Sequence, residues 1–452
     1  MSRSRRTALR SLGALALAAA GGCRPDEPVP APSGPARPLP EAPRFPLRVE
    51  AGRRQLLDAS GRPFFVNGDS PWLLIVQLRR EQVDIYLEDR RRKGINALLV
   101  ELIEHLYATR PPRNVYGDLP FTTPGDFATP NERYFAHADH VIRRAGEMGM
   151  LVLLAPAYVG YQGGAHGWYR DMVANGADKL RAYGRYLGNR YRSAHNILWV
   201  DGGDYKVPDK ALVRAVAEGI LEGDRKPHTY HASRGTAAFE FWGTGERWLT
   251  VNSIYTDENG VVAAAHREYA RSAAPFFLIE ARYEGERSAG EQVVRRQAWQ
   301  ALLGGASGHV MGNLPVWKFA PGWRVALNSP GARSLRHLAE LVAARPWWRL
   351  LPDLGATLLV DGQGADGERA AAACADDGSF ALAYTPTARA LSLDLSQLRG
   401  RHVRAAWLDP SSGTQAAIGD VALPATGRWS VRPPDRNASG FGDWVLLLDS
   451  IG

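Results

Sequence analysis

A chain of 452 residues exceeds what one ordinary hydrophobic core fills and fits about two domains plus a tail. With 45% hydrophobic and 23% charged residues its body is globular rather than disordered. The formal charge of +8 falls to +4 without Arg3, Arg5, Arg6 and Arg10, and basic runs such as Glu88-Asp89-Arg90-Arg91-Arg92-Lys93 are mixed with acids as on a solvated helix face, so nucleic acid is not expected as a partner.

The first 22 residues carry an export signal. Ser4-Arg5-Arg6-Thr7-Ala8-Leu9-Arg10 resembles a twin-arginine motif, and the apolar run Leu12 to Ala20 is too short to span a bilayer. Ala20-Gly21-Gly22-Cys23 resembles a bacterial lipobox, which makes Cys23 the expected lipidation site and a membrane the expected partner. Arg24 follows the cysteine, a pattern that resembles sorting to the outer membrane. Residues 23–47 read as lipidated cysteine and tether, with nine prolines in residues 24–47 and little periodicity. Beyond Cys23 only Cys374 remains, so no internal disulfide can form and stability must come from core burial.

Residues 48–352 are expected to form a (β/α)8 barrel. Eight short apolar runs read as strands: Pro63–Asn67, Ala97–Leu102, Leu151–Ala155, Ile197–Asp201, His228–His231, Leu249–Ile254, Phe276–Glu280 and Gly308–Gly312. Amphipathic stretches lie between them: Glu81–Lys93, Phe135–Met148, Asp178–Arg190, Lys210–Glu222, Val261–Arg271 and Glu291–Leu303, with a weak helical signal around Thr236–Gly245. Eight alternations over about 250 residues call for a closed parallel sheet. An open doubly wound sheet is the alternative, but no glycine-rich phosphate motif follows any strand. After Pro352 the helical pattern stops. Residues 353–452 alternate apolar and polar positions, as in Phe380–Tyr384, Leu391–Leu395 and Val403–Leu408, which predicts a small β-sandwich packed against the barrel.

Barrels of this kind carry chemistry on the loops that follow strand C-termini. Those positions hold Asp69 and Trp72, Glu101, Glu104 and His105, Tyr158 and Tyr161, Asp201 and Asp204, His231, Tyr255 and Asp257, Glu280, and Trp317. No nucleophilic serine elbow or H-E-x-x-H sequence occurs. A rim of carboxylates and aromatics fits glycosidic chemistry, in which one carboxyl protonates the leaving oxygen and a second attacks the anomeric carbon. Glu280 appears where an apolar strand reaches the mouth; a salt bridge to Arg282 is the competing role. Asp204 follows Gly202-Gly203, which permits a sharp turn, with Asp201 as its rival. Asp69 is expected either to contact a sugar hydroxyl or to fix its loop. Trp72, Tyr158, Tyr255 and Trp317 are candidate substrate contacts, the two tryptophans as stacking platforms or as packing. His105 and His231 are substrate contacts or structural histidines. Glu284 is expected to be a supporting acid. No cluster has metal-ligand spacing, so no cofactor is expected.

Three segments carry a family resemblance. Gly61-Arg62-Pro63-Phe64-Phe65-Val66-Asn67-Gly68-Asp69-Ser70-Pro71-Trp72, Trp199-Val200-Asp201-Gly202-Gly203-Asp204 and Ile279-Glu280-Ala281-Arg282-Tyr283-Glu284 resemble, in order and spacing, motifs of the apiosidase-like glycoside hydrolases. Trp407–Gly413 and Gly442–Leu447 resemble the sandwich, sometimes labelled collagen-binding, that follows such barrels. The resemblance implies a retaining hydrolase of plant or bacterial oligo- or polysaccharides, with acid/base at the fourth strand and nucleophile at the seventh, hence Asp204 and Glu280. Direct attack then requires carboxyls about 5–5.5 Å apart. Asn252-Ser253-Ile254-Tyr255-Thr256 stands where relatives often read Q-S-G-H, which leaves the sugar open. A monomer is expected. The competing functional class is a glycan-binding surface lipoprotein without catalysis, which would lack or misplace one rim carboxylate.

Overall fold

The computed structural model describes residues 41–422 and 427–452; the leader, Cys23 and the tether as far as residue 40 lie outside the described residues. Eight parallel strands form the barrel: β1 (Val66–Asp69), β2 (Ala97–Glu101), β3 (Leu151–Ala155), β4 (Ile197–Gly202), β5 (His228–His231), β6 (Asn252–Tyr255), β7 (Phe276–Glu280) and β8 (Gly308–Met311). Their order is β5-β4-β3-β2-β1-β8-β7-β6, with a ninth short segment, Thr236–Ala237, antiparallel to β6. The ring closes between β5 and β6, where His228 bridges to Leu249 and its carbonyl accepts the N–H groups of Thr250 and Val251 at 3.1 and 3.0 Å. Closure excludes the open doubly wound sheet. Every residue of β1 to β6 is buried, which is why β2, β3 and the first four residues of β4 read as apolar runs rather than as alternating ones.

The outer helices are α1 (Arg80–Arg92), α2 (Glu132–Glu147), α3 (Tyr169–Arg190), α4 (Lys210–Leu221), α5 (Ala238–Trp242), α6 (Val261–Arg271), α7 (Glu291–Leu303) and α8 (Pro330–Ala344). Asn131 and Asp209 cap α2 and α4 by accepting backbone N–H groups, and Ser329 with Pro330 opens α8.

Four expectations shift. Pro63–Phe64 pairs antiparallel with Leu56–Leu57 in a hairpin, so the first barrel strand starts at Val66. The sixth strand is shorter than its apolar run, because Leu249 turns to close the ring on His228. Helix α3 begins nine residues before Asp178 but breaks at Gly176 (φ 72°), and Asp178 lies just after the break. Helix α8 is not among the predicted helices. None of the helices among the described residues is long and apolar enough to cross a membrane.

Beyond the barrel lie β9 (Leu350–Pro352), β10 (Leu359–Asp361), β11 (Ala371–Ala375), β12 (Phe380–Thr385), β13 (Leu391–Asp394), β14 (His402–Leu408), β15 (Gln415–Ala422), β16 (Arg428–Val431) and β17 (Trp444–Ile451). They make two antiparallel sheets, β9-β11-β12-β17-β14-β15 and β10-β13-β16. Alternation divides the larger sheet between two cores. Ala371, Ala373, Leu382, Tyr384 and Leu447 join the barrel's core, whereas Ala372, Cys374, Ala383, Leu446 and Leu448 face the smaller sheet. Barrel and sandwich fall within one compact unit. Trp299 of α7 stacks on Tyr384 at 6.4 Å, and Arg295 of α7 forms a two-point ion pair with Asp443 at 2.9 and 3.0 Å. Cys374 is buried in this sandwich core, and burial pushes its thiol up to about 11, so it is not a reactive group.

Candidate active site

Strand C-termini converge on a cavity of about 160 Å³ lined by Trp72, Glu101, Tyr107, Tyr158, Asp204, Glu280, Tyr283 and Trp317. Its volume is on the order of five water molecules, the space of one sugar ring. A larger depression at Arg80, His140 and Arg190 lies away from this rim, and its Arg190 is already paired with Glu132 and Asp139.

Asp204 reaches the cavity through a strained turn. Gly202 and Gly203 have φ of 86° and 134°, and a Cβ on them would stand 2.3 Å from the Tyr230 ring and 2.1 Å from the Tyr158 ring. Glycine is therefore demanded twice, by backbone and by space. Asp204 itself has φ 38°, a region few side chains adopt. Burial, then the neighbouring Glu280 carboxylate, lift its carboxyl to about 6, against the opposing pull of His231 and Arg234.

Glu280 ends β7 with its side chain toward the cavity. Its Oε2 lies 2.7 Å from His231 Nε2, and His231 Nδ1 accepts the Asp204 backbone N–H at 3.1 Å. Since Nδ1 is the acceptor, the ring hydrogen belongs to Nε2, which donates to the carboxylate. One imidazole thus ties the Asp204 turn to Glu280. The Trp72 indole N–H donates to the Tyr283 hydroxyl at 2.8 Å. Burial first, and next the charge of the Glu280 carboxylate, hold the Tyr283 phenol neutral. Arg282 turns away to Glu258 and Glu286 at 3.0 and 3.3 Å, so it makes no salt bridge with Glu280.

Of the residues singled out in the sequence, Trp72, Glu101, Tyr158, Asp204, Glu280 and Trp317 line the cavity. His231 and Tyr255 stand behind it. Tyr255 packs on His231 at 5.1 Å and accepts a hydrogen bond from Arg234 at 3.0 Å. For two residues the structure favours the structural role among the expected alternatives. Asp69 is wholly buried, and its carboxylate is taken up by Tyr86 at 2.7 Å, Arg90 at 2.6 Å and the Ser70 N–H at 2.9 Å, so it fixes its loop. His105 pairs with Asp171 at 3.2 Å and packs on Trp168, outside the cavity lining. Asp201 is held by His228 at 2.8 Å inside the barrel and does not reach the cavity. Glu284 accepts from Asn313, Ser329 and the Gly331 N–H, anchoring the start of α8. Among the described residues no group of His, Cys, Asp and Glu could hold a metal ion.

Sequence reasoning missed Tyr107, Tyr283 and Arg234 as members of the site. Tyr283 sits in the quoted motif three residues after Glu280, and that spacing was its signal. Tyr107 lies on an irregular loop whose backbone N–H groups at Leu106, Tyr107 and Ala108 are gathered by the Glu104 carboxylate. Its hydroxyl meets His166 at 2.9 Å and its ring meets Trp317 at 5.3 Å.

Residues 50–349 match the family model described as "Apiosidase-like, catalytic domain", and residues 351–449 match "Putative collagen-binding domain of a collagenase". Among solved structures, a protein titled "Glycoside hydrolase" aligns over 90% of this chain and 97% of its own, with 24% identity and a TM-score of 0.78. A family 5 glycoside hydrolase from Bacteroides vulgatus aligns over 90% of this chain and 95% of its own, with 23% identity and a TM-score of 0.77. These likenesses show the shared fold, sandwich included. No curated protein matches the sequence.

Proposed function

The chain belongs to the apiosidase-like family of glycoside hydrolases, and from that membership we propose that it hydrolyses a plant or bacterial glycan with retention of anomeric configuration, Asp204 acting as acid/base and Glu280 as nucleophile. The observation that carries this reading is a pair of carboxyls on one sugar-sized cavity, joined through His231. A carboxyl raised to about 6 keeps a proton in mildly acid solution, as a general acid must.

In the first step a Glu280 oxygen bonds to the anomeric carbon as the bond to the leaving oxygen breaks, and that oxygen takes the Asp204 proton. In the second, Asp204 removes a proton from water, the water oxygen bonds to the same carbon, and the Glu280 ester bond breaks. His231 and Tyr283 are positioning residues. The His231 hydrogen bond fixes the carboxylate, and the Trp72 N–H fixes the Tyr283 hydroxyl in the same cavity. Trp72 and Trp317 offer apolar surface to a sugar face.

The test is a panel of p-nitrophenyl glycosides and plant and bacterial polysaccharides, with the product anomer followed by proton NMR. Initial release of the retained anomer supports the mechanism; inversion overturns it. Anchoring is part of the same proposal: a Cys23 lipid would hold the enzyme at the cell envelope. Cys23→Ser should then move the protein from the membrane fraction to the soluble one, and equal partitioning of both forms would refute the anchor.

A further inference from the structure

Glu101 ends β2 and lines the cavity with Asp204 and Glu280, yet the two-carboxylate reaction leaves it idle. Only 3% of its surface is exposed, and no protein group among the described residues hydrogen-bonds its carboxyl. Glu104, three residues on, is the contrast: it is as buried, but its carboxylate collects three backbone N–H groups. A buried carboxyl without a partner costs folding free energy, and a fold keeps one where a ligand supplies the partner.

Resting on the glycosidase reading above, we propose that Glu101 is the specificity-determining contact of the cavity, gripping one hydroxyl of the sugar ring as both donor and acceptor. Burial, and then the charge of Glu104, hold its carboxyl well above the ordinary carboxylate range, so the acid keeps its proton. A protonated carboxyl has one O–H to give and a carbonyl oxygen to receive. A sugar hydroxyl has the same dual capacity, and the two can satisfy each other fully. A carboxylate would only accept, and it would add a further negative charge beside the nucleophile. Tyr107 and Tyr158, neutral for the same reason of burial, complete the wall around it. The site thereby selects a ring with a free hydroxyl at this position and discriminates against its deoxy counterpart.

The experiment compares Glu101→Gln and Glu101→Leu with the wild type on the p-nitrophenyl glycoside it turns over fastest, and on that glycoside's monodeoxy analogues. Glutamine also donates and accepts, so kcat/KM should stay within about tenfold. Leucine should lower kcat/KM by about 10²-fold or more, largely through KM, because polar sites reject mismatched partners strongly. Wild type should penalise one deoxy analogue, and the leucine variant should treat it like the parent sugar. Thermal unfolding supplies a readout independent of catalysis. Glu101→Leu should be at least as stable as the wild type, whereas a structural carboxyl would leave it less stable. Unchanged kcat/KM in Glu101→Leu, or lowered stability, overturns the proposal. Azide rescue of a Glu101→Gln variant that has lost activity also overturns it, because Glu101 would then be the acid/base. Wild type that neither hydrolyses the panel nor binds a matching iminosugar by calorimetry refutes the glycosidase reading itself, and this role with it.

Discussion

The barrel mouth and the seam between barrel and sandwich both bury carboxyl groups, and they treat them in opposite ways. At the seam Asp443 is fully buried with every oxygen engaged: Oδ1 by Arg295 at 3.0 Å and Asn437 at 2.7 Å, Oδ2 by Arg295 at 2.9 Å and Tyr384 at 3.2 Å. At the mouth Glu101, Asp204 and Glu280 share one cavity, the first with no partner and the second on left-handed backbone. The seam uses polar groups to hold two layers together. The mouth leaves hydrogen-bonding capacity unpaired and sets carboxyls side by side, at a cost in stability. The same functional group therefore marks cohesion in one region and, in the function proposed above, chemistry in the other.

Exchanging the two roles is the most direct way to break this comparison. Glu280→Gln should reduce turnover on the order of 10³-fold or more, as loss of a covalent nucleophile does, while its melting temperature stays at or above that of the wild type. Asp443→Ala should do the reverse. It leaves the Arg295 charge in a seam where only 1% of the side chain is exposed, with Glu291 as its remaining acidic partner. The expected loss is about 3 kcal/mol or more by urea unfolding, with kcat per folded molecule unchanged within about twofold. A Glu280→Gln variant as unstable as Asp443→Ala would erase the distinction.

Gly203→Ala sharpens the comparison by testing whether strain at the mouth is functional. The added methyl would stand 2.1 Å from the Tyr158 ring on backbone with φ 134°, so ring and turn must both move. A loss of about 1–3 kcal/mol in stability is expected. A displaced Asp204 should lower kcat by about 10²-fold. Full activity in this variant would show that the turn's geometry is dispensable.

How much of this was legible beforehand follows the same division. The barrel was readable because buried parallel strands leave apolar runs, and β3 and β7 begin and end where those runs were read. The place of Asp204 and Glu280 in the cavity lining was readable because a charge at the end of such a run, or after two glycines, is conspicuous. Asp69 met the same criterion and belongs to the interior. Its partners Tyr86 and Arg90 lie one helix later, and no local pattern announces that pairing. For the same reason nothing local decided between the two readings of His105, since Asp171 is 66 residues away. Tyr107 was invisible because its loop has no period, only the Glu104 carboxylate that gathers the chain around it. The seam's alternation was plain in the sequence, but not that one face of its large sheet would complete the barrel's core.

The smallest effect concerns the protons at the mouth, and its sign separates the two regions. The Asp204 carboxyl is raised from 3.8 to about 6 by burial and by Glu280. A folded-state value above the unfolded one means the folded protein holds the proton longer. That contribution to stability is fully present below about pH 4 and is lost as the pH rises through about 6, where the folded group ionises. Asp204→Asn has no proton to lose. It should match the wild type near pH 4 and become the more stable protein above pH 6. Two units correspond to about 3 kcal/mol, which partial solvent access reduces to about 1–2 kcal/mol. Activity should divide along the same line. Hydrolysis of unactivated glycans should decline above about pH 6 in the wild type and be crippled throughout in Asp204→Asn, which should retain turnover of a nitrophenyl glycoside that needs little protonation. Unfolding curves at pH 4 and pH 7.5 test the linkage. If the stability difference between the two proteins is the same at both pH values, the carboxyl titrates as it would in solvent, and the mouth does not hold its proton.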